Sequence, residues 1–177
     1  MEFITKSGKK LIIRPPIEAD FEKVFKFFIK LVGEDTFILR APGDEPTLGE
    51  EKKWFDSKLE SIKKKKAIYL DAFSGGMVVG SVSIEAGEYR LKYVGGVGIS
   101  IAKDFRGEGL GYKLLMEAEK EAKKLELKVL RLDVYGINNV AQGLYRKAGF
   151  RKYGNLPKSI QYKGKLVDDL CMYKRIG

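Results

Sequence analysis

The chain predicts an α/β domain: one mixed, twisted sheet of six or seven strands flanked by about four helices. Three observations carry that prediction. Two β-rich stretches, 67–73 and 77–85, are joined by Ser74-Gly75-Gly76, a hairpin signal that requires antiparallel pairing. A strand over 94–101 leads through a glycine-rich turn to an apolar-striped helix, and VLRLDV at 129–134 follows it. That strand, helix, strand order implies a right-handed crossover and parallel pairing. Two amphipathic helical patterns lie between the first strand and the hairpin. At 177 residues the chain is long enough for one domain with a sizeable core and too short for two, so 1–177 reads as a single domain.

Lys10 to Arg14 is the first strand, ended by Pro15-Pro16, because proline cannot donate to a ladder and restricts its neighbour. Phe21, Val24, Phe25, Phe28 and Leu31 recur at helical spacing up to Gly33. Glu34 to Pro46 has no sustained period and reads as a loop. Thr47 and Glu50 form a candidate capping box for a second helix with Leu48, Phe55, Leu59 and Ile62 on its apolar face, widened by Trp54. On the second hairpin strand, Val79, Ser81, Ser83 and Glu85 share the more polar face, with Val78, Gly80, Val82 and Ile84 on the other. Leu110, Leu114, Leu115, Ala118, Ala122 and Leu125 stripe the helix after the glycine turn, opposite Lys113, Glu117, Glu121 and Lys124. A short helix at 138–150 and a hairpin around Gly164 close the chain.

Composition narrows the class. With 44% hydrophobic and 33% charged residues, no apolar run long enough to span a bilayer and no signal-peptide pattern, the expected location is the cytosol. One cysteine, Cys171, excludes an intramolecular disulfide. The absence of histidine leaves no Cys/His cluster for a metal, so any general base is a carboxylate, a tyrosine or water. A net charge of +10 favours an anionic partner without choosing among coenzyme phosphates, nucleic acid and acidic proteins. The run Lys63 to Lys66 sits where a helix ends and cations complement its dipole, with no interleaved aromatics, so it reads as a solvated terminus. Two glutamines and three asparagines among many Lys and Glu give a thermophile-like composition.

The stretch VGGVGISIAKDFRGEGLGY, 94–112, carries the chemistry. Gly95, Gly96 and Gly98 weaken a strand and suggest a bulge or a ligand lying on bare backbone. In Arg106 to Gly111 three glycines let the main chain wrap an anion, and the following helix points free N–H groups at it. A Walker loop is absent, since no G-x-x-x-x-G-K-[ST] run exists. A dinucleotide fingerprint would place its third glycine at Tyr112 or Leu114, although Asp133 at the right distance keeps that reading open. An ordinary glycine-rich helix cap is the plain alternative.

The pattern [QR]-x-x-G-x-[GA], met by Arg106, Gly109 and Gly111, resembles the pyrophosphate loop of the GNAT family of acyl-CoA N-acyltransferases. A second block, NNVAQGLYRKAGF at 138–150, resembles the family's asparagine after the fifth strand, followed by a short helix bearing a tyrosine and ending at Gly-Phe. Here those residues are Asn138, Ala141, Tyr145, Gly149 and Phe150. The resemblance spans essentially the whole chain. It implies the GNAT fold and acetyl transfer from acetyl-CoA, without a metal, to an amine on a peptide, protein or small molecule. The backbone of Ile99, Ser100 and Ile101 would pair with the pantetheine arm. Arg106, Gly107, Glu108, Gly109, Leu110, Gly111 and Tyr112 would hold the pyrophosphate, and Asn138, Ala141 and Tyr145 would complete the cofactor site. An N–H near Ile99 would stabilise the thioester oxyanion, and Tyr145 would protonate the leaving thiolate. From the residues alone, Tyr145 reads equally as core packing.

One departure sets the acceptor question. Many family members carry a glutamate two residues before the position of Gly98, and this chain has Gly96 there. Glu85, Asp133 or a water relay would replace it; taken structurally, Glu85 is simply a solvated strand-end residue. An α-amine of pKa about 8 needs about 1.4 kcal/mol to deprotonate at pH 7, against about 4.6 kcal/mol for a lysine near 10.4. A site without the usual carboxylate therefore suits a polypeptide α-amine better than a lysine side chain, with lysine or small-molecule amine acetylation as the alternative. A non-catalytic coenzyme A-binding module and a basic nucleic-acid-associated domain are the alternatives from other classes. The chain is expected to be a monomer or homodimer.

Overall fold

A computed structural model describes residues 1–177. Its elements are β1 (Glu2–Ile4), β2 (Lys10–Arg14), α1 (Phe21–Gly33), α2 (Leu48–Lys63), β3 (Ala67–Ser74), β4 (Met77–Ala86), β5 (Val94–Ile101), α3 (Leu110–Lys124), β6 (Val129–Tyr135), α4 (Asn139–Lys147), β7 (Arg151–Tyr162) and β8 (Lys165–Arg175). The eight strands form one sheet in the order β1-β2-β3-β4-β5-β6-β8-β7. Every neighbouring pair is antiparallel except β5 and β6, which the α3 crossover makes parallel. The strand beyond the expected six or seven is β1, which pairs with β2 at the sheet edge. No helix is long and apolar enough to cross a membrane.

The local signals act as the sequence indicates. Gly75 and Gly76 have φ of +54° and +80°, the left-handed pair that a tight hairpin turn requires. Thr47 Oγ1 accepts the Glu50 N–H at 3.3 Å, and the Glu50 carboxylate accepts the Thr47 N–H at 2.8 Å, closing the capping box of α2. The stripe of α3 is fully buried at Leu110, Leu114, Ala118 and Ala122. It packs on β4 closely enough that a Cβ on Gly80 would lie 3.0 to 3.3 Å from Ile101, Leu110 and Leu114.

Two expectations about faces are corrected. A bulge at Val79, between the pairs Phe73↔Val78 and Ala72↔Gly80, breaks the alternation of β4, so Val78 shares the face of Phe73, Asp71 and Ser81 rather than that of Gly80, and Val79 is buried. Along α2, Leu48 and Trp54 are exposed while Glu51, Phe55 and Lys58 are buried. This helix lies against β3 with buried polar groups, which a purely apolar period cannot register.

Candidate active site

The anion loop is built from main chain. Arg106 N–H bonds to Lys103 O at 3.2 Å, and the next N–H to find a backbone acceptor is that of Lys113, bonded to Gly109 O at 3.1 Å. The N–H groups from Gly107 to Tyr112 are thus left free at the start of a 15-residue helix, where its dipole favours an anion. Gly107 and Gly109 take φ of +77° and +85°, which turns successive N–H groups inward. Gly111 has another role: a Cβ there would lie 3.0 Å from Leu144 Cδ2, so its bareness lets α3 and α4 approach.

The side chains of this loop are engaged elsewhere. Arg106 donates from Nε to Ile101 O at 2.9 Å and pairs with Glu34 at the end of α1. Glu108 accepts the Ser7 N–H at 2.9 Å, which pins the β1–β2 hairpin and, above all, holds its carboxyl below the usual range. What Arg106 and Glu108 present to a phosphate is therefore backbone. Lys6, Lys113 and Lys120 line a hollow of about 450 Å³ beside Gly109 and Tyr112, between α3 and β1.

β5 opens next to the loop. Along β4 it is paired from Gly95↔Ala86 to Ile101↔Gly80, but along β6 only from Val94↔Val129 to Gly96↔Arg131. Beyond Gly96 the parallel pair separates into a wedge. The direction of the main-chain groups follows from the bonds at the two ends of the strand. Ala102 N–H reaches Val79 O and Gly87 N–H reaches Val94 O, both across to β4, while Tyr93 O accepts from Lys128 on the β6 side. By strand alternation, Gly96, Gly98 and Ser100 face β4, and Val97, Ile99 and Ile101 face the wedge. Ile99 thus offers a free N–H there, as expected. Ser100 does not, and Ile101 O is taken by Arg106. Val97, not singled out from the sequence, is the other free edge residue.

On the face of the sheet toward α2, Glu85 stands directly opposite Gly96 in the β4–β5 register, and Arg131 is the next residue across on β6. The position where the family's glutamate is missing is open space: a Cβ on Gly96 would find only Glu85 O, at 3.9 Å. The Glu85 carboxylate accepts a hydrogen bond from the Tyr69 hydroxyl. Burial and that bond raise the Tyr69 phenol well above its ordinary pKa, so it stays a donor. Asp133 lies two residues past Arg131 on β6, opposite Cys171, and so beyond the paired segment.

The far wall of the wedge is α4. The Asn138 side chain accepts the Ala141 N–H at 3.1 Å, so the amide oxygen of the former and the N–H of the latter are used in capping this helix. At its other end Phe150 N–H bonds to Tyr145 O at 2.9 Å and Gly149 N–H to Arg146 O at 3.0 Å, with Gly149 at φ +92°. These two bonds form a Schellman motif, and the Tyr145 and Phe150 rings pack with centroids 6.0 Å apart. Tyr145 is thus both packed and chemically equipped. It is 8% exposed, its hydroxyl makes no hydrogen bond within the chain, and burial pushes its pKa up to about 12. The α1–α2 loop is held against the sheet where Phe37 stacks on Tyr162 at 4.9 Å and the Tyr135 hydroxyl donates to Ile38 O at 2.9 Å.

Tyr69, Val97 and the Phe37–Tyr135–Tyr162 cluster carry no motif. Only the hairpin register and the path of the loop bring them to the site.

The dinucleotide reading fails on topology, since that fold needs a run of parallel strands and this sheet has one parallel pair. Residues 34–150 match the model of the Acetyltransferase (GNAT) family. YwnH of Bacillus subtilis (strain 168), which bears a provisional phosphinothricin acetyltransferase name, is 31% identical over 127 residues, 70% of this chain and 76% of that protein. Among solved structures, a GNAT-family acetyltransferase from Streptococcus pneumoniae superposes with a TM-score of 0.85 at 29% identity, covering 94% of this chain and 99% of the other. A ribosomal-protein-alanine N-acetyltransferase from Brucella melitensis gives 0.80 at 26% identity, over 93% and 99%. The fold is also that of a phosphinothricin acetyltransferase from Sinorhizobium meliloti in complex with acetyl-CoA, with a TM-score of 0.81 at 19% identity over 94% and 89%. The chain belongs to the GNAT family of acetyltransferases.

Proposed function

We propose that this acetyltransferase uses acetyl-CoA to acetylate the α-amine of a polypeptide, with Glu85 as the general base. The observation that carries the reading is the alignment along β5. The free N–H run from Gly107 to Tyr112 lies at one end, the open edge at Val97 and Ile99 in the middle, and Glu85 across from Gly96 at the other end. The pyrophosphate seats on the loop N–H groups, and the pantetheine arm continues the sheet along the edge of β5. This directs the thioester toward Ile99, whose N–H faces the charge that develops on its carbonyl oxygen.

The amine nitrogen attacks that carbonyl while its proton passes to Glu85, directly or through one water. The C–S bond then breaks, and the Tyr145 hydroxyl, still protonated at neutral pH because burial raises its pKa to about 12, gives the thiolate its proton. Glu85 fills the role that Gly96 leaves vacant from the neighbouring strand, and the space over Gly96 is where the amine approaches.

Two considerations favour an α-amine: its lower pKa asks less of a base reaching across from an adjacent strand, and the Brucella melitensis likeness is to an enzyme named a ribosomal-protein-alanine N-acetyltransferase. The test compares initial rates on two peptides, one with a free N-terminus and blocked lysines, the other with an acetylated N-terminus and a free lysine. The first should react at least about tenfold faster. Acetylation of the second alone makes this a lysine or small-amine enzyme, and acetyl-CoA binding without turnover on any amine makes it a binding module.

A further inference from the structure

Behind Glu85 lies a charged group that the reaction does not touch. Lys58, on α2, is buried to 3% side-chain exposure. Its Nζ sits 4.3 Å from the centroid of the Tyr69 ring and 5.1 Å from that of Trp54. Asp71, fully buried on β3, has Oδ1 4.0 Å from Lys58 Nζ and 2.6 Å from Ser81 Oγ, and its Oδ2 has no partner. A lysine held this deep against an aromatic face is costly unless its charge is used. Burial lowers the Lys58 pKa below its ordinary value, and the charges of Asp71, Glu51 and Glu85 oppose that shift. The ring it faces belongs to the one residue that hydrogen-bonds Glu85.

We propose that Tyr69 and Lys58 are positioning residues for the Glu85 carboxylate. The Lys58 ammonium polarises the phenol through its ring face, and the phenol's hydrogen bond fixes the Glu85 carboxylate beside Gly96. This rests on the reading of Glu85 as the base. The geometry explains why α2 buries Lys58, and why Tyr69 reaches diagonally along the β3–β4 ladder, whose direct pairs are Tyr69↔Ser83 and Ala67↔Glu85. A cation over an aromatic face and a hydrogen bond to a carboxylate both favour the charged base. The other groups around the pair are Glu51 on α2, Asp71 on β3 and Arg131 across Gly96 on β6. Tyr69→Phe and Lys58→Met leave all three in place.

The test is kcat against pH at saturating acetyl-CoA and a single peptide, for wild type, Tyr69→Phe, Lys58→Met and Glu85→Gln. The peptide's amine contributes equally to every profile, so only shifts between variants are read. Tyr69→Phe removes the donor that the Glu85 carboxylate accepts from, and a hydrogen bond to a carboxylate favours its charged form. The acid limb of Tyr69→Phe should therefore move up by about one pH unit, and that of Lys58→Met should move the same way by less. The double variant should go no further than Tyr69→Phe, since Lys58 acts through that ring. If Lys58→Met does not fold because Asp71 is left alone, Lys58→Met with Asp71→Asn removes both charges and the same shift is expected. An unmoved limb in Tyr69→Phe, with Glu85→Gln abolishing the limb, overturns this inference and leaves the base in place. A Glu85→Gln enzyme that keeps both limb and rate overturns the base itself.

Discussion

The anion loop after β5 and the polar corner at Glu85 flank the same strand and are made of different material. The loop is backbone: its free N–H groups come from consecutive residues, and its side chains are turned to Glu34 and Ser7. The corner is side chain: Glu85, Tyr69 and Lys58 come from β4, β3 and α2, and the strand beside them, at Gly96, offers no side chain. The first should tolerate changes of side-chain chemistry but not a bulky, charged side chain on a left-handed glycine. The second should tolerate added volume at Gly96 but not the loss of a single functional group.

A large effect is expected at Gly109, where φ is +85° at the helix N-cap. With acetyl-CoA at about 100 times its Kd, the wild-type protein should gain about 2.7 kcal/mol, or about 5 to 10 °C in Tm. Gly109→Glu strains the backbone and sets a carboxylate where the pyrophosphate belongs, so calorimetry should find that gain absent. Glu108→Ala should keep it, because that carboxylate faces the hairpin. Loss of the gain in both variants would erase the distinction between backbone and side chain at this loop.

Tyr145→Phe should lower kcat by roughly ten- to a thousandfold, with acetyl-CoA affinity and Tm little changed, since the ring and the Schellman motif are kept. A wild-type rate would make Tyr145 a packing residue only. A smaller effect, of opposite sign, is expected at Gly96. In a Glu85→Gln background, Gly96→Glu places a carboxylate where the resembled family carries one, and a Cβ there meets only Glu85 O at 3.9 Å. About tenfold of the lost rate should return; no recovery would show that the two positions are not interchangeable.

The last effect concerns stability alone. Arg14 holds the Asp20 carboxyl at about 2, with bonds of 2.5 and 2.9 Å from its guanidinium. A depressed acid contributes stability above its unfolded pKa near 3.9 and loses it as pH falls toward 2. Asp20→Asn should cost about 2 kcal/mol at neutral pH and flatten the acid unfolding curve between about pH 4 and 2, as urea titrations across that range would show.

Much of the fold was readable because its signals are local. Gly75-Gly76 needs positive φ, Thr47 and Glu50 cap each other three residues apart, and Gly149 ends α4 where an α-helix needs a left-handed residue. β1 was missed because three residues, Glu2–Ile4, carry no period. The geometry of the glycine loop was readable for the same reason as the turns, since glycine spacing records backbone geometry. Its side-chain assignments were not, because Arg106 finds Glu34 from 72 residues away and Asn138 is consumed by its own helix. The acceptor corner was half visible. Glu85 could be placed on the polar face, but its Tyr69 partner depends on a register that the Val79 bulge resets, and Lys58 looks like any solvated helix lysine.

The central claim is that the base absent from Gly96 is supplied by Glu85 on the adjoining strand. It is tested most directly by kcat of Glu85→Gln with both acetyl-CoA and the peptide saturating. The account predicts a fall of roughly a hundred- to ten-thousandfold, with the KM for acetyl-CoA unchanged because the loop is untouched. A kcat within about twofold of wild type would contradict it and leave proton removal to water.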